Sequence, residues 1–388
     1  MDTNGTREIM NDTIMLCKCF ALLGVLLLAC NGTTTRKETR PAATANTGEL
    51  LATSNDGGPR FVQKSVQFVT PGKHDTCRFH QEITVAYTNN RRYPVDSAHL
   101  LYNNTPIATL DSLTRSYTFR VPPDKCGINN LKIIAFHPGN RQGVVTLPIV
   151  VKPDKAPRRL AHEVAGVYPH DITASTQGLV FHEGFLYEGT GIFGESTLRK
   201  IDLFQNKQLD MISLASEYFG EGITIYNGKI YQITWTSRKG FIYDLATFRQ
   251  EATFDYLTQG WGITTMNDCL AMSDGSHQLF LLAPDSFTKI RTVEVYDHHG
   301  PVDSLNELEW INGQIWANVW LTDRIVVIDP RSGAVVEELY LPNMLTPAEK
   351  VKLNTKEDVL NGIAYNPGRG TIYVTGKHWP KLFELKIK

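Results

Sequence analysis

The feature that most constrains this chain of 388 residues is a repeat filling its second half. Five small turns, Glu183-Gly184, Asn227-Gly228, Asn267-Asp268, Asn312-Gly313 and Arg369-Gly370, recur at a period near 45 residues. Four are followed by an alternating strand pattern (FLYEGTG, KIYQITW, QIWANVW, TIYVTGK), and CLAMSDG is a looser copy. A second strand follows each: LRKIDL, FIYDLATF, LFLLAPDSF, IVVIDPRSG and LFELKIK. Upstream of the turns stand Gln177-Gly178-Leu179, Glu221-Gly222-Ile223, Trp261-Gly262-Ile263, Asn306-Glu307-Leu308 and Asn361-Gly362-Ile363. An all-β unit of this size cannot cover its own faces and must stack against copies of itself, so the pattern predicts a five-bladed β-propeller over 163–388. The last unit ends on its third strand, so the run VAGVYP at 164–169 is expected to supply the outer strand and close the ring.

Repeat positions that serve the fold should carry similar residues in every unit, and positions that serve a site should differ. Two sets differ. The first is Gln177, Glu221, Trp261, Asn306 and Asn361; the second, seven residues past each turn, is Gly191, Trp235, Gly275, Trp320 and Lys377. Two residues beyond the first set the positions stay aliphatic throughout (Leu179, Ile223, Ile263, Leu308, Ile363). Pseudo-symmetry places both sets at one height around the axis. The pocket so inferred holds a carboxylate, an ammonium, three carboxamides and three indoles, a composition suited to a small-molecule site. A lone acid facing a narrow channel is costly unless it works, which favours a functional Glu221 and, by the same argument, Lys377. Asn361 could equally satisfy backbone groups at a tight turn. Trp310 and Trp316 fall with core aromatics such as Tyr187, Tyr231 and Tyr373, and are read as packing.

The same residues carry a resemblance. YPHD (168–171), TQGL (176–179), YEGTG (187–191), YFGEGIT (218–224), GWGIT (260–264), SDGS (273–276), LNELEW (305–310), WANVWLTD (316–323), LNGIAY (360–365) and TGKHWPKLFE (375–384) resemble the plant and bacterial type of glutaminyl-peptide cyclotransferase. The similarity runs through the whole repeat and misses the residues before it. It implies a five-bladed propeller that converts N-terminal glutamine to pyroglutamate and releases ammonia, acting on peptides or proteins that begin with Gln. Ser175 stands where the family commonly has an aromatic, and Gln259 where many relatives carry an acid, which puts specificity in question more than activity.

Cyclisation needs a deprotonated α-amine, a polarised γ-carboxamide and a proton for the departing ammonia. One carboxylate can do the first and last of these, so Glu221 is assigned as the base that becomes the acid. Asn306 and Gln177 are assigned as hydrogen-bond donors to the carboxamide oxygen, and Lys377 as its positive charge or as the group that holds Glu221 ionised. Trp235, Trp261 and Trp320 would wall the pocket, with Asn361 at its edge. The reaction is intramolecular and calls for no cofactor. No Cys/His spacing for zinc occurs, and a metal-dependent hydrolase would need several channel acids, whereas the aligned rings hold only Glu221. The rival reading is a non-catalytic propeller that binds a peptide or cell-wall fragment.

Residues 61–155 read as short strands between turn signals: SVQFVT, EITVAYT, HLLYNN, SYTFRVP, NLKIIAF and VVTLPIVV, a pattern that predicts an immunoglobulin-like β-sandwich. Nothing in it looks catalytic; it is read as a spacer or docking module, with DKAPRR (154–159) as the linker to the repeat. Ahead of it, 31–60 is rich in Thr, Ala, Asn and Gly, lacks aromatics and any sustained period, and reads as a flexible tether. The run CFALLGVLLLAC (19–30) is too short to cross a bilayer and suits the core of a signal sequence over 1–30. Its end, Leu27-Leu28-Ala29-Cys30, resembles a lipobox in which Cys30 carries lipid, so the mature protein is expected outside the cytoplasm, on a membrane or facing the periplasm or cell exterior. Export permits disulfides, and Cys77 with Cys126 is the pairing expected. Lys+Arg of 39 against Asp+Glu of 40 leaves no basic excess for nucleic-acid binding. The chain is expected to act as a monomer.

Overall fold

The computed structural model describes residues 58–354 and 356–388. The signal sequence, Cys30 and all but the end of the tether lie outside the described residues.

The described chain is all-β apart from one short helix, Pro347–Lys350. The repeat region forms five antiparallel sheets, each wound outward in chain order. The first comprises Thr176–His182, Phe185–Thr190, Thr197–Asp202 and Lys207–Ser213, and the second Gly220–Tyr226, Lys229–Thr234, Lys239–Asp244 and Gln250–Asp255. The third comprises Ile263–Met266, Cys269–Ser273, Gln278–Leu282 and Lys289–Glu294, and the fourth Leu305–Ile311, Gln314–Val319, Arg324–Ile328 and Val335–Tyr340. In the fifth, Leu360–Asn366, Thr371–Gly376 and Lys381–Ile387 are completed by His162–Pro169, so the run at 164–169 takes the outer position expected of it. Burial follows this order: Thr371–Gly376 is buried along its whole length, whereas Lys207–Ser213 is exposed almost throughout. Strands covered on both faces read as largely apolar or small residues, and exposed charge gathers on the outer strands. The first strands neighbour one another in sequence, and Leu360–Asn366 lies against Thr176–His182.

The recurrent turns have a conformational reason. Glu183-Gly184, Asn227-Gly228 and Asn312-Gly313 all have positive φ at both residues, the geometry of a two-residue hairpin that matches strand twist. Asparagine and glycine tolerate it best, which is why they recur.

Residues before the repeat form two sheets around one core. One holds Arg60–Phe61, Arg141–Lys152, Gly127–His137, Ser97–Tyr102 and Thr105–Asp111, with Thr76–Arg78 parallel to Arg141–Lys152. The other holds Val66–Thr70, Glu82–Asn89 and Ser116–Arg120. Glu82–Asn89 alternates exposed and buried as a half-covered strand should, sending Ile83, Val85 and Tyr87 inward against Leu100, Leu131, Ile133 and Ile149.

Two expectations are corrected here. DKAPRR is no free linker: Arg158–Arg159 adds a parallel strand to Val335–Tyr340, and Arg158 pairs with Glu337. Tyr296 and Ala334 of the repeat join the core of the first region, the Cys126 N–H donates to the Ser332 carbonyl at 2.7 Å, and residues 61–388 pack as one unit. Cys77 and Cys126 are buried free thiols. Cys77 and Gly127 both oppose Val151, from opposite sides of its strand. Two strand spacings, roughly 9–10 Å, therefore separate the Cys77 and Gly127 backbones.

Candidate functional site

The variable positions of the repeat coincide with irregularities in the sheets. In the first sheet Thr176 opposes Thr190 and Gly178 opposes Gly189, leaving Gln177 as an extra residue. The register shifts likewise between Gly220 and Ile223 around Glu221, between Leu305 and Leu308 around Asn306, and between Leu360 and Ile363 around Asn361. A bulge bends the strand and re-aims the side chain at the break. Four of the five predicted positions are thus turned out of the ladder at the same place in their sheets.

The second set is fixed to the first by one recurring hydrogen bond. The N–H groups of Gly191, Trp235, Trp320 and Lys377 donate to the carbonyls of Ser175, Phe219, Ser304 and Val359 at 2.8–3.0 Å. Each acceptor lies two residues before the site position of its own sheet, so the two sets share a level in four sheets. The third sheet departs: the Trp261 N–H donates to Ser273 and the Ser273 N–H to Gly262. Residues just past the second set (Ile192, Leu321, His378) have positive φ, a strained backbone for side chains of this kind.

Glycine follows the site residue in most repeats because neighbouring first strands nearly touch. A Cβ on Gly178 would lie 2.4 Å from the Ile223 nitrogen, and one on Gly262 would lie 2.1 Å from the Asn306 oxygen. The fourth repeat breaks the rule with Glu307. Its carboxyl accepts from Leu179 N–H at 3.3 Å and from Ile363 N–H at 2.9 Å, joining three sheets. Burial, with Glu309 nearby, holds this carboxyl well above the usual range. The inner strands therefore hold more acid than the aligned positions suggested, although among the described residues no group of three or more His, Cys, Asp or Glu is arranged around a metal site.

Glu221 and Lys377 are both buried, 6% and 7% exposed, and each senses the other's charge. Burial drives the Glu221 carboxyl well above its ordinary range, and Lys377 opposes that rise. Burial drives the Lys377 ammonium down, opposed by Glu221, Glu357 and Asp358. Both groups are pushed toward their neutral forms, the state in which one proton is readily exchanged.

An aromatic wall adjoins them. Trp235 and Trp261 donate their indole N–H groups to the same Oε1 of Gln259, at 2.7 and 3.1 Å. Trp261 meets Trp320 edge to face with centroids 5.4 Å apart, and Phe219 meets Trp235 at 5.8 Å. Asn361 Nδ2 donates to the Thr176 carbonyl at 3.0 Å and lies 3.4 Å from Gln177 Oε1, which turns the Gln177 amide nitrogen away from it. Among the described residues, Asn306 Oδ1, Asn361 Oδ1 and Trp320 Nε1 are buried without a hydrogen-bond partner. Unpaired buried groups at one level are what a polar ligand would satisfy.

Behind the site, His170 Nε2 donates to Glu188 at 2.9 Å while its Nδ1 donates to the Trp379 carbonyl at 2.7 Å. An imidazole that donates from both nitrogens is an imidazolium. Burial alone would lower its pKa, but Glu188 overrides that and holds it up. Glu188 also accepts from Thr176 Oγ1 at 2.7 Å, so one buried pair ties the Gln177 bulge to the turn carrying Lys377.

The glutamine cyclotransferase family model matches residues 142–387. The glutaminyl-peptide cyclotransferase of Arabidopsis thaliana is 37% identical over 229 residues, covering 58% of this chain and 71% of that protein. The crystal structure of Myxococcus xanthus glutaminyl cyclase is 38% identical, with a TM-score of 0.56, covering 60% of this chain and 98% of that one. The chain belongs to the glutamine cyclotransferase family. The family match begins at 142, inside the strand Arg141–Lys152, earlier than the boundary at 163 expected from the repeat.

Several residues of this glutamine cyclotransferase escaped the repeat argument. Gln259 was visible only as a departure from the family pattern, yet it is the acceptor that pins two indoles. Phe219 stands two residues before Glu221, and its aromatic face against Trp235 was readable only from the YFGEGIT motif. Glu307 lay next to Asn306 in plain sight, as the one non-glycine at its repeat position. Ser175, at the position where an aromatic was expected, is buried and contributes its carbonyl to Gly191.

Proposed function

We propose that this glutamine cyclotransferase converts the N-terminal glutamine of peptides or proteins to pyroglutamate, with Glu221 carrying the proton. The observation that supports it most is the buried Glu221–Lys377 couple, set in repeated bulges beside an indole wall. The substrate's α-nitrogen attacks its own γ-carboxamide carbon as Glu221 takes the proton from that nitrogen. Negative charge gathers on the carboxamide oxygen, where the Lys377 ammonium and the amide N–H groups of Gln177 and Asn306 stabilise it. Glu221 then returns the proton to the leaving nitrogen, the C–N bond breaks, and ammonia departs as the lactam carbonyl re-forms. Trp235, Trp261 and Trp320 exclude water and hold the chain folded for attack. Asn361 serves chiefly to orient Gln177.

In the same reading the five sheets are blades of a propeller closed by His162–Pro169, and the first region is an immunoglobulin-like sandwich. The ring of neighbouring first strands and the two-sheet core support these assignments. The lipid on Cys30, the monomeric state and a membrane-anchored location facing the periplasm or cell exterior belong to this proposal on the sequence pattern alone. Incubation with Gln-Ala tests the activity by mass: the product lacks one ammonia. An unchanged dipeptide would leave a binding protein instead.

A further inference from the structure

The connection 170–175 leads from the outer strand His162–Pro169 to the first strand of the first sheet, and it lies against the turn that carries Lys377. Backbone bonds zip the two together. His170 N–H donates to the Pro380 carbonyl at 3.1 Å, and His378 N–H donates to the Ala174 carbonyl at 2.8 Å. Side chains add a second tier. His170 Nδ1 donates to the Trp379 carbonyl, two residues past Lys377, and its Nε2 donates to Glu188 Oε1. That same oxygen accepts from Thr176 Oγ1, and Thr176 immediately precedes Gln177. Thr176 also lends its carbonyl to Asn361 Nδ2. One imidazolium and one carboxylate therefore grip the flank of a site residue on the first sheet and of another on the fifth.

The His170 and Glu188 side chains are 4% and 0% exposed. A buried ion pair is a poor source of stability, because desolvating both charges offsets most of their attraction, but its geometry is exacting. The cluster around it carries no net charge. Arg199 faces Glu188 across the ladder and pairs with Asp171 at 2.8 Å, so the four neighbouring charges cancel. What is left for the pair is to hold position. Resting on the functional reading above, we infer that His170 and Glu188 are positioning residues, which hold Lys377 and Gln177 where charge gathers on the substrate's carboxamide oxygen. That charge develops only in the transition state, so misplacing either donor should lower kcat and leave KM little changed.

The test uses the full chain with Gln-Ala. His170→Gln keeps a donor within reach of Glu188 and offers none to the Trp379 carbonyl, so kcat should fall about ten-fold at nearly constant KM. The acid limb of kcat/KM should move up by about half a pH unit as Lys377 loosens its hold on Glu221. Added to Lys377→Met, His170→Gln should move neither kcat nor the limb further, because a residue that acts through another is not additive with it. Thr176→Val leaves the ion pair intact and reads the other arm. Its kcat should fall about three-fold, and Gln177→Ala should abolish that difference. A lower melting temperature with kcat and the acid limb unchanged would show that the backbone bonds alone hold the turn, and overturns the role. An equal loss from His170→Gln with and without Lys377 overturns it too. Should His170→Gln fail to fold, an unchanged kcat in Thr176→Val overturns it on that arm alone. No turnover by the unmodified chain overturns the functional reading and the positioning role together.

Discussion

The carboxyl of Glu221 and the ammonium of Lys377 lie buried in one polar centre, each biasing the other's charge, with no direct ion pair between them among the described residues. Contact would lock both groups in their charged forms. Separation with coupling leaves room for a substrate amine and keeps a proton available. Glu221→Gln should abolish ammonia release from Gln-Ala while leaving the thermal melt unchanged, because the amide has the same shape and removes a buried charge. Retained turnover in that variant would refute the proton path.

Lys377→Met gives a separate, signed expectation. Lys377 opposes the burial that raises Glu221, so without it the carboxyl titrates higher still. A general base works only when deprotonated, so the acid limb of kcat/KM should move to higher pH, by about one unit or more for loss of a neighbouring opposite charge. A pH–rate profile measures it. An acid limb that stays put, or moves down, would separate the two residues functionally.

Gln259 should govern substrate affinity more than chemistry. Its Oε1 is the shared acceptor of the Trp235 and Trp261 indoles, so Gln259→Leu strands two N–H groups at about 1 kcal/mol each and frees both rings. KM should rise about ten-fold with a smaller change in kcat, and Gln259→Glu, which keeps an acceptor, should restore most of it. Steady-state kinetics on Gln-Ala decides. A Leu variant with unchanged KM would mean the indoles hold themselves.

The sequence made the repeat legible because turn chemistry is local: an Asn-Gly pair announces a hairpin wherever it occurs. The level of the candidate positions was legible for a related reason, since residues at one repeat offset recur at the same height, as the shared N–H to carbonyl bond shows in four of the five sheets. The bulges were not, because an extra residue is defined only against its partner strand, and Gln177 looks like any other residue until Thr176 and Gly178 are seen opposite Thr190 and Gly189. The Gln259 acceptor was hidden because it joins indoles from different repeats. The disulfide expectation failed for want of strand order, which sequence spacing between Cys77 and Cys126 does not contain.

The two thiols give a further expectation. With Cys77 and Cys126 unbridged and buried, and burial raising both thiol pKa values, neither is a competent nucleophile in the folded protein. A thiol reagent should leave both unmodified until denaturant is added. The melting temperature should be the same with and without reductant, whereas loss of a native disulfide typically costs 2–5 kcal/mol. A drop on reduction would show a bridge between thiols that the structure leaves free.

A buried and a half-buried acid, Glu307 and Glu309, on the strand Leu305–Ile311 should make the fold less stable as pH rises. Burial raises Glu309 to about 8, against backbone hydrogen bonds from Tyr365 and Trp310 that work to lower it. In the unfolded chain the same group ionises near 4.3. Below that value both states hold the proton and its contribution is fully present. Between about 4.3 and 8 the folded state holds a proton the unfolded chain has released, so stability falls with increasing pH, by up to ~1.4 kcal/mol per pH unit for one group. Glu307, raised by burial and by Glu309, adds in the same direction. Glu309→Gln keeps an oxygen acceptor for the Tyr365 N–H and cannot ionise, so its urea-unfolding free energy should fall less steeply between pH 5 and pH 8 than that of the unmodified protein. Parallel slopes for the two proteins would mean that Glu309 titrates as freely folded as unfolded, and that the inner strands do not confine it.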